Sequence, residues 1–439
     1  MSDLQRYSLR KHMALIAMVA VTLGACGDNE TPLPGERLSI RPGDTTEVEN
    51  RVVAISLPRA THNGEWTHKN GAPNHATGHV ALNAAPALIW SADIGKGVSR
   101  DTRISAAPIG ADGMVFVLDG AAQISALDGA GAILWSLDVT PAGENPDDGS
   151  GGGLSYSGGV LYAATGFGEI LAITPTTGGV IWRRGFDAPF RAAPSVVGNT
   201  IFAVTRADVA YAISTKDGKL AWLQRGAGAI GSAYNGGASP AISNGQVVLP
   251  FSTGDLLMVR ANSGQPGWRS ALDGARAAAA MNVIGDISGD PVIDGNKVYA
   301  ANLAGQTVQI NLNNGKRNWA LPVGAMGPVW PVAGAVFLVS DRARMMRVDA
   351  RSGQVIWAQQ LPQFTDLEDR KGVIRYHGPV LAGGAMWVTS HDGHLRAFTP
   401  ESGEIIADIA VPGGAASAPI IIGGVLYILS LDGKLHAFQ

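Results

Sequence analysis

A glycine placed four residues before a tryptophan recurs six times along this chain of 439 residues. The pairs are Gly131–Trp135, Gly178–Trp182, Gly218–Trp222, Gly264–Trp268, Gly315–Trp319 and Gly353–Trp357, and a seventh glycine, Gly403, precedes Ala407 at the tryptophan position. Successive positions are 38 to 51 residues apart, with short apolar runs and turn residues between them and no helical pattern. A repeat of this length, made of four short strands, is typical of a β-propeller.

The number of blades follows from the residues that precede the first strand of each repeat. Most repeats begin with a proline, at Pro108, Pro194, Pro240, Pro291, Pro379 and Pro419; blade two begins instead at Gly153, and blade six at Pro328 and Pro331. Eight sets of inner strands result, but the chain stops at Leu435–Gln439, which aligns with a third strand. The run Ala87–Ile94, which contains Trp90, has the outer-strand pattern and supplies the missing strand.

We therefore predict an all-β fold for residues 84–439. It is an eight-bladed β-propeller of four-stranded antiparallel blades, and an N-terminal strand closes the ring. Closure protects the last blade because an unpaired strand edge promotes aggregation. The 58 glycines and the low share of charged residues, 16%, agree with short strands joined by tight turns.

The tryptophans of the repeat are predicted to be structural. Each falls at the same point of an outer strand, where its ring can cover the junction with the next blade and contribute about 2–3 kcal/mol. A binding site would use one or two such residues and not a regular series. The series is Trp90, Trp135, Trp182, Trp222, Trp268, Trp319 and Trp357.

Residues 1–25 have the features of a signal peptide. Basic residues are followed by the apolar run Met13–Leu23, which is too short to span a bilayer. The segment ends in Leu23-Gly24-Ala25-Cys26, a lipobox pattern that predicts lipidation of Cys26; the alternative is an ordinary signal peptide beside an incidental cysteine. Residues 26–83 are then a lipidated cysteine followed by a flexible tether and cap, with residues 27–60 as tether.

Four histidines, His62, His68, His75 and His79, lie in residues 61–83. Their spacing matches no familiar zinc pattern and no cysteine accompanies them, so we predict surface or capping histidines and no metal. The alternative is a metal cluster.

Because the formal net charge is −3 and no basic stripe is present, nucleic acid is not an expected partner.

The Gly-x-x-x-Trp repeats resemble the quinoprotein (PQQ-enzyme) propeller superfamily. Within it, eight blades behind a lipobox and little else are similar to the BamB lipoprotein family of the outer-membrane β-barrel assembly (BAM) machinery. The resemblance covers residues 26–439. It implies a non-catalytic scaffold without a cofactor, anchored by lipid on the periplasmic face of the outer membrane. Its partners would be the barrel-inserting subunit BamA, the BAM complex and unfolded outer-membrane proteins.

The resemblance also implies where the partner binds. Loops of neighbouring mid-chain blades form the contact in the family, and the matching positions here are Ser232, Tyr234, Asn235, Asp286 and Ser288. Two of them depart from the family pattern, because Asn235 replaces a contact arginine and Ser288 replaces an acidic residue. Equivalent loops of adjacent blades emerge on one side of a propeller, so these residues are expected to form one patch. The alternative is that Tyr234 packs its own loop and Asp286 caps a turn.

The rival functional hypothesis is a PQQ-dependent dehydrogenase, or another periplasmic propeller that binds a ligand. Such dehydrogenases resemble this fold but place cation-ligating carboxylates and an aromatic residue in the channel, and many add a vicinal disulfide. Cys26 is the only cysteine of the chain, so no internal disulfide can form. Most acidic residues fall in Asp-Gly turns such as Asp392-Gly393, and no catalytic residue can be singled out.

Overall fold

The computed structural model describes residues 48–228, 237–272, 285–325 and 327–439. These residues form strands and one short 3₁₀ helix, Pro146–Asp148. Within these ranges no helix has the length and apolar content that crossing a bilayer requires. In chain order the strands are β1 (Leu88–Asp93), β2 (Ile109–Ala111), β3 (Met114–Leu118), β4 (Gln123–Asp128), β5 (Ile133–Asp138), β6 (Gly152–Ser157), β7 (Val160–Thr165), β8 (Glu169–Ile173), β9 (Val180–Gly185), β10 (Ser195–Val197), β11 (Thr200–Val204), β12 (Val209–Ser214), β13 (Leu220–Arg225), β14 (Ala241–Ser243), β15 (Gln246–Pro250), β16 (Asp255–Arg260), β17 (Pro266–Ala271), β18 (Val292–Asp294), β19 (Lys297–Ala301), β20 (Thr307–Asn311), β21 (Arg317–Leu321), β22 (Trp330–Val332), β23 (Ala335–Val339), β24 (Arg344–Asp349), β25 (Val355–Gln360), β26 (Phe364–Asp366), β27 (Lys371–Val373), β28 (Tyr376–Ala382), β29 (Ala385–Ser390), β30 (His394–Phe398), β31 (Ile405–Ala410), β32 (Ile420–Ile422), β33 (Val425–Leu429) and β34 (Lys434–Phe438).

The described residues build eight four-stranded antiparallel sheets, the blades. Blades one to five are β2–β5, β6–β9, β10–β13, β14–β17 and β18–β21; blade six is β22–β25, blade seven β28–β31, and blade eight β32–β34 with β1. Strands β26 and β27 form a separate hairpin between blades six and seven. The predicted eight-bladed propeller is confirmed.

Strand β1 closes the ring by pairing antiparallel with β34. Trp90 lies opposite Ala437, and Ala87 and Gln439 exchange two backbone hydrogen bonds of 2.9 Å. The strand nearest the N-terminus is therefore the outer strand of the last blade, as predicted. No covalent turn joins the third and fourth strands of blade eight.

Burial decreases from the inner to the outer strand of each blade. Second and third strands such as β3 and β4 are almost wholly buried, whereas fourth strands such as β5 alternate between exposed and half-buried residues. The largest apolar cluster joins blades six, seven, eight and one. The others each lie between two neighbouring blades, so the core is a ring of junctions.

Each repeat glycine packs against the tryptophan of the preceding blade. A Cβ atom added at any of the seven glycines would lie within 2.9 Å of that tryptophan side chain. Each indole N–H also donates to a backbone carbonyl of the following blade, over 2.6 to 3.1 Å. We call this arrangement the interlock. In each blade that has both residues, the repeat glycine contacts the tryptophan ring of the preceding blade, and the tryptophan four residues later packs on the following blade.

The same geometry explains Ala407, which stands at the tryptophan position of blade seven. A tryptophan there would cover the turn between the third and fourth strands of blade eight. In the described residues that turn is absent, because the fourth strand of blade eight is β1, which precedes the other described strands. Among the described blades, the interlock is therefore absent only between blades seven and eight, and blade eight is the blade whose fourth strand has no covalent turn to its third.

Residues 61–83 form a plug across one end of the central channel. Hydrogen bonds join the plug to every blade in turn, at or beside its first strand, the one that lines the channel. The pairs, from blade eight through blades one to seven, are Asn63–Ile421, Trp66–Gly110, Thr67–Tyr156, His68–Val196, Pro73–Ile242, Asn74–Ile293, Gly78–Trp330 and Val80–Leu381. The N-terminal segment therefore covers the channel on the side where first strands turn into second strands.

The predicted tether, residues 27–60, is described only from residue 48. Asn50 bonds to Ala358 of blade six through both its amide nitrogen and its amide oxygen, and the Val53 backbone N–H donates to Glu401 of blade seven. Arg347 adds a bond to the Val53 carbonyl at 2.5 Å. Residues 50–54 are thus held on the propeller and are not a free tether.

Candidate functional site

The predicted partner-binding residues fall in two connections between blades. The three–four connection joins blade three to blade four, and the four–five connection joins blade four to blade five. Ser232, Tyr234 and Asn235 lie outside the described residues. Asp286 and Ser288 lie inside them, and we refer to residues 237–240 and 285–291 as the two connection ends.

Asp286 is buried, with 1% of its surface exposed, and pairs with the guanidinium of Arg191. Its charge is paired inside the protein, and its direct contact with a partner stays a prediction. Ser288 is also buried; its hydroxyl donates to the Ala325 carbonyl at 2.7 Å and its backbone N–H to Ala301 at 3.3 Å. Both side chains fix the four–five connection to the blades.

Arg191 is the residue that joins the two connection ends. It lies before β10 of blade three and is 4% exposed. One nitrogen of the guanidinium pairs with Asp286, and the other lies 3.5 Å from Asp208. Gly237 packs on the same side chain so closely that an added Cβ would lie 2.9 Å from the Arg191 Cβ. Each connection end therefore has one residue in contact with Arg191.

Asp208, in the turn between β11 and β12 of blade three, joins Arg191 to Ser252 of blade four. Its carboxylate accepts hydrogen bonds from the Ser252 backbone N–H at 2.9 Å and from the Ser252 hydroxyl at 2.6 Å. Arg206 lies nearby and donates to the Ser150 carbonyl at 2.9 Å; burial, and then the charge of Arg191, lower its pKa. Because a broken buried pair leaves a charge uncompensated, loss of one partner costs about 3–5 kcal/mol.

Sequence reasoning missed Arg191. The residue stands directly before Ala192-Ala193-Pro194, where the other repeats place small or apolar residues, and this departure was the available signal. Its partner Asp286 lies 95 residues away in the chain. A sequence pattern without an alignment does not show such a pairing.

A second polar cluster surrounds Asp290, which is fully buried. Its carboxylate accepts from Lys69 Nζ at 3.0 Å, from Asn70 Nδ2 at 2.7 Å and from the Ser239 backbone N–H at 2.6 Å. Burial alone raises the pKa of this carboxyl, but the Lys69 charge, His75 and these hydrogen bonds hold it below its ordinary value. The cluster thus holds an ionised aspartate beside the plug.

Most of the plug histidines serve as capping residues. His68 Nε2 accepts from the Val196 backbone N–H at 3.0 Å, and His79 Nε2 accepts from that of Gly384 at 2.9 Å. His75 Nδ1 lies 2.7 Å from the Pro291 carbonyl, whereas His62 is exposed. Burial, and then the charge of His75, lower the pKa of His68 to about 3. Burial also lowers the pKa of His75.

The described residues do not fit the quinone cofactor that the superfamily implies. In that resemblance, carboxylates hold a cation beside the cofactor in the channel. Asp290, the carboxylate beside the plug, is instead bonded to Lys69, Asn70 and Ser239. Within the described ranges, no three His, Cys, Asp or Glu residues are grouped so that they could hold a metal ion. We therefore assign no chemical step to this cofactor.

Comparison with known proteins agrees with the propeller and its repeat. The family described as "Outer membrane protein assembly factor BamB" matches residues 121–359. The chain is 24% identical over 333 residues to the BamB of Yersinia pestis, covering 74% of this chain and 82% of that protein. It is also 24% identical over 327 residues to the BamB of Escherichia coli K12, covering 73% and 80%.

Solved structures show the same fold. BamB from Moraxella catarrhalis superposes with a TM-score of 0.67 at 18% identity, covering 81% of this chain and all of that one. The quinohemoprotein alcohol dehydrogenase of Comamonas testosteroni gives 0.62 at 13% identity, covering 86% and 81%. These two likenesses concern the fold alone. Because the family match spans more than half of the sequence, the chain belongs to the family of the outer membrane protein assembly factor BamB.

Proposed function

We propose that this protein is a non-catalytic scaffold lipoprotein of the outer-membrane β-barrel assembly complex. It binds BamA and assists the folding and insertion of outer-membrane proteins. Membership of the BamB family supports a role in assembly at the level of the family. Lipidation of Cys26 holds the chain on the periplasmic face of the outer membrane; Cys26 lies outside the described residues.

The observation that carries the proposal is the position of Arg191. One buried side chain contacts the connection ends before blades four and five, through Gly237 and Asp286. Two connection ends that are fixed to a common group keep a constant spacing at Gly237 and Asp286, and preorganisation of this kind favours binding. The buried charges are therefore supports of the binding face, and the contacts themselves belong to residues such as Tyr234, Asn235 and Ser232.

A binding experiment tests this division of roles. The periplasmic domains of BamA are titrated against the wild type and against Tyr234→Ala, with thermal unfolding as a folding control. We expect at least a tenfold weaker Kd for Tyr234→Ala and an unchanged Tm, since an aromatic residue at the centre of an interface supplies much of its energy.

The matched control is Leu367→Ala, which removes an apolar side chain that is 71% exposed between blades six and seven. This variant should bind as the wild type does. Equal affinity of Tyr234→Ala and wild type would refute the proposed face. No binding by the wild type would refute BamA as the partner.

The enzyme hypothesis has a separate test, because quinoprotein dehydrogenases share the fold. The purified protein is incubated with PQQ and Ca²⁺, and cofactor absorbance and dye reduction with alcohols are measured. We expect neither signal from the folded protein. A stoichiometric cofactor spectrum with dye reduction would replace the scaffold proposal by a catalytic one.

A further inference from the structure

Lys69, Asn70 and His75 differ from the other plug residues in what they contact, because His75 Nδ1 lies 2.7 Å from the carbonyl of Pro291 in the four–five connection end. The other plug contacts are mainly with first strands of the blades, on the side where the plug lies. Lys69 instead reaches the carbonyl of Gly237, at 3.4 Å, and the carboxylate of Asp290. Both belong to the connection ends, which precede first strands and therefore lie toward the opposite face. At these residues the plug contacts the connection ends directly.

Asp290 is the meeting point of three segments. Two of its hydrogen bonds come from the plug, from Lys69 and Asn70, and a third comes from Ser239 in the three–four connection. Asp290 itself belongs to the four–five connection. Its side chain is fully buried, and that of Lys69 is only 20% exposed. Solvent screening of the pair is accordingly weak.

We infer that Asp290 is a positioning residue for the proposed partner face, and that it makes the geometry of this face depend on the N-terminal plug. The inference rests on the proposed function. Arg191 fixes Gly237 and Asp286 to blade three. Asp290 bonds Ser239 to the plug residues Lys69 and Asn70, and Lys69 also bonds the Gly237 carbonyl. Each connection end is thereby held at two points, one on the propeller and one on the segment that leads toward the membrane anchor.

Loss of the plug contacts has a local consequence. Without Lys69, the Asp290 carboxylate keeps the Asn70 and Ser239 bonds but has no paired charge in a buried position. Such a group is strongly destabilised, so the connection ends should open more often to let water reach it. The remaining plug contacts stay intact, including those of Pro73 and Asn74 with the first strands of blades four and five.

The experiment compares Lys69→Met with Asn63→Ala in the full chain. Both change one half-buried polar residue of the plug, but Asn63 donates to Ile421 of blade eight, at 2.8 Å, and not to a connection end. Hydrogen exchange is followed in peptides covering residues 237–242 and 285–293. The Kd for the periplasmic domains of BamA is measured on the same samples.

We expect Lys69→Met to raise exchange rates about tenfold in both peptides and to weaken binding about tenfold. Asn63→Ala should change neither quantity. Lys69→Arg, which keeps a charged donor, should restore most of the protection and affinity. If Lys69→Met does not fold, Asn70→Gly removes the single side-chain bond to Asp290 without Cβ strain at its φ of 61°, and should give the same pattern at smaller amplitude.

The outcomes separate the inference from the function on which it rests. Unchanged exchange in both peptides with Lys69→Met overturns the coupling, whatever the affinity. Faster exchange with unchanged affinity overturns the positioning role, because the partner then does not sense these connections. If the wild type does not bind BamA, the proposed function is wrong, and the positioning role is wrong with it. The exchange data can then still show that the plug holds the connection ends.

Discussion

The interlock between glycine and tryptophan gives a quantitative test on one pair, Gly178 and Trp135. Gly178 has a φ of 72°, and a Cβ added there would lie 2.7 Å from the indole ring of Trp135. A residue with a Cβ at positive φ costs about 1–2 kcal/mol. Overpacking against the ring adds about 1–3 kcal/mol. We therefore expect Gly178→Ala to lower the free energy of unfolding by about 2–5 kcal/mol.

Gly113 supplies a matched control. Its φ is 74°, almost the same as that of Gly178, but no heavy atom lies within 4 Å of an added Cβ. Gly113→Ala therefore carries only the backbone cost, about 1–2 kcal/mol, partly offset by the lower entropy of its unfolded chain. The difference between the two variants isolates the contact with the ring, and it should be about 1–3 kcal/mol.

The assay is urea unfolding of both variants without residues 1–25, followed by circular dichroism and tryptophan fluorescence. The midpoints are converted to free energies with a common m-value, after the slopes have been compared. Equal midpoints for the two variants would show that Trp135 does not require a glycine at position 178. The interlock would then be a consequence of turn geometry alone.

Three further predictions follow from other parts of the molecule. Deleting residues 88–93 should expose β34 and cause aggregation with a lower Tm, whereas deleting residues 27–47 should leave the Tm unchanged; equal melting of the two would contradict noncovalent closure. The folded pKa of His68 is about 3, below its unfolded value of 6.5, so the unfolded state binds more protons between these values. Stability should therefore fall as pH falls from 6.5, by about 2 kcal/mol at pH 5 for this one residue, and His68→Asn should flatten the pH profile of the Tm. Cys26→Ala should abolish metabolic lipid labelling and outer-membrane fractionation, and unchanged labelling would show that Cys26 is not the acylated residue.

The propeller could be predicted from sequence because its signal is repeated. A glycine and a tryptophan at constant spacing report the same turn and the same junction in each blade, so an exception is informative. Ala407 is such an exception, and Trp90 near the N-terminus supplied the strand that the last blade lacked. Period and residue type together therefore determined both the number of blades and the way in which the ring closes.

The plug and the buried charges could not be predicted in the same way. The segment around His68 has no period, and most of its bonds go to residues more than a hundred positions away, such as Val196. Exposure also cannot be read from one sequence, so Asp286 was expected to contribute an exposed charge at the partner patch although it pairs internally with Arg191. Tertiary pairing, and not local preference, decides the position of these side chains.

Closure of the ring by β1 also has a consequence for the order in which the protein folds. Ser91 and His436, which bond across this junction, are separated by 345 residues. Bringing the ends of so long a chain together costs about 5 kcal/mol of entropy, and contacts of this kind slow folding. During synthesis β1 and the plug emerge first, yet the partner strand β34 emerges last. Strand β1 therefore stays unpaired until the last blade has been synthesised. A chain truncated near its C-terminus lacks β34 and so leaves β1 without its partner strand.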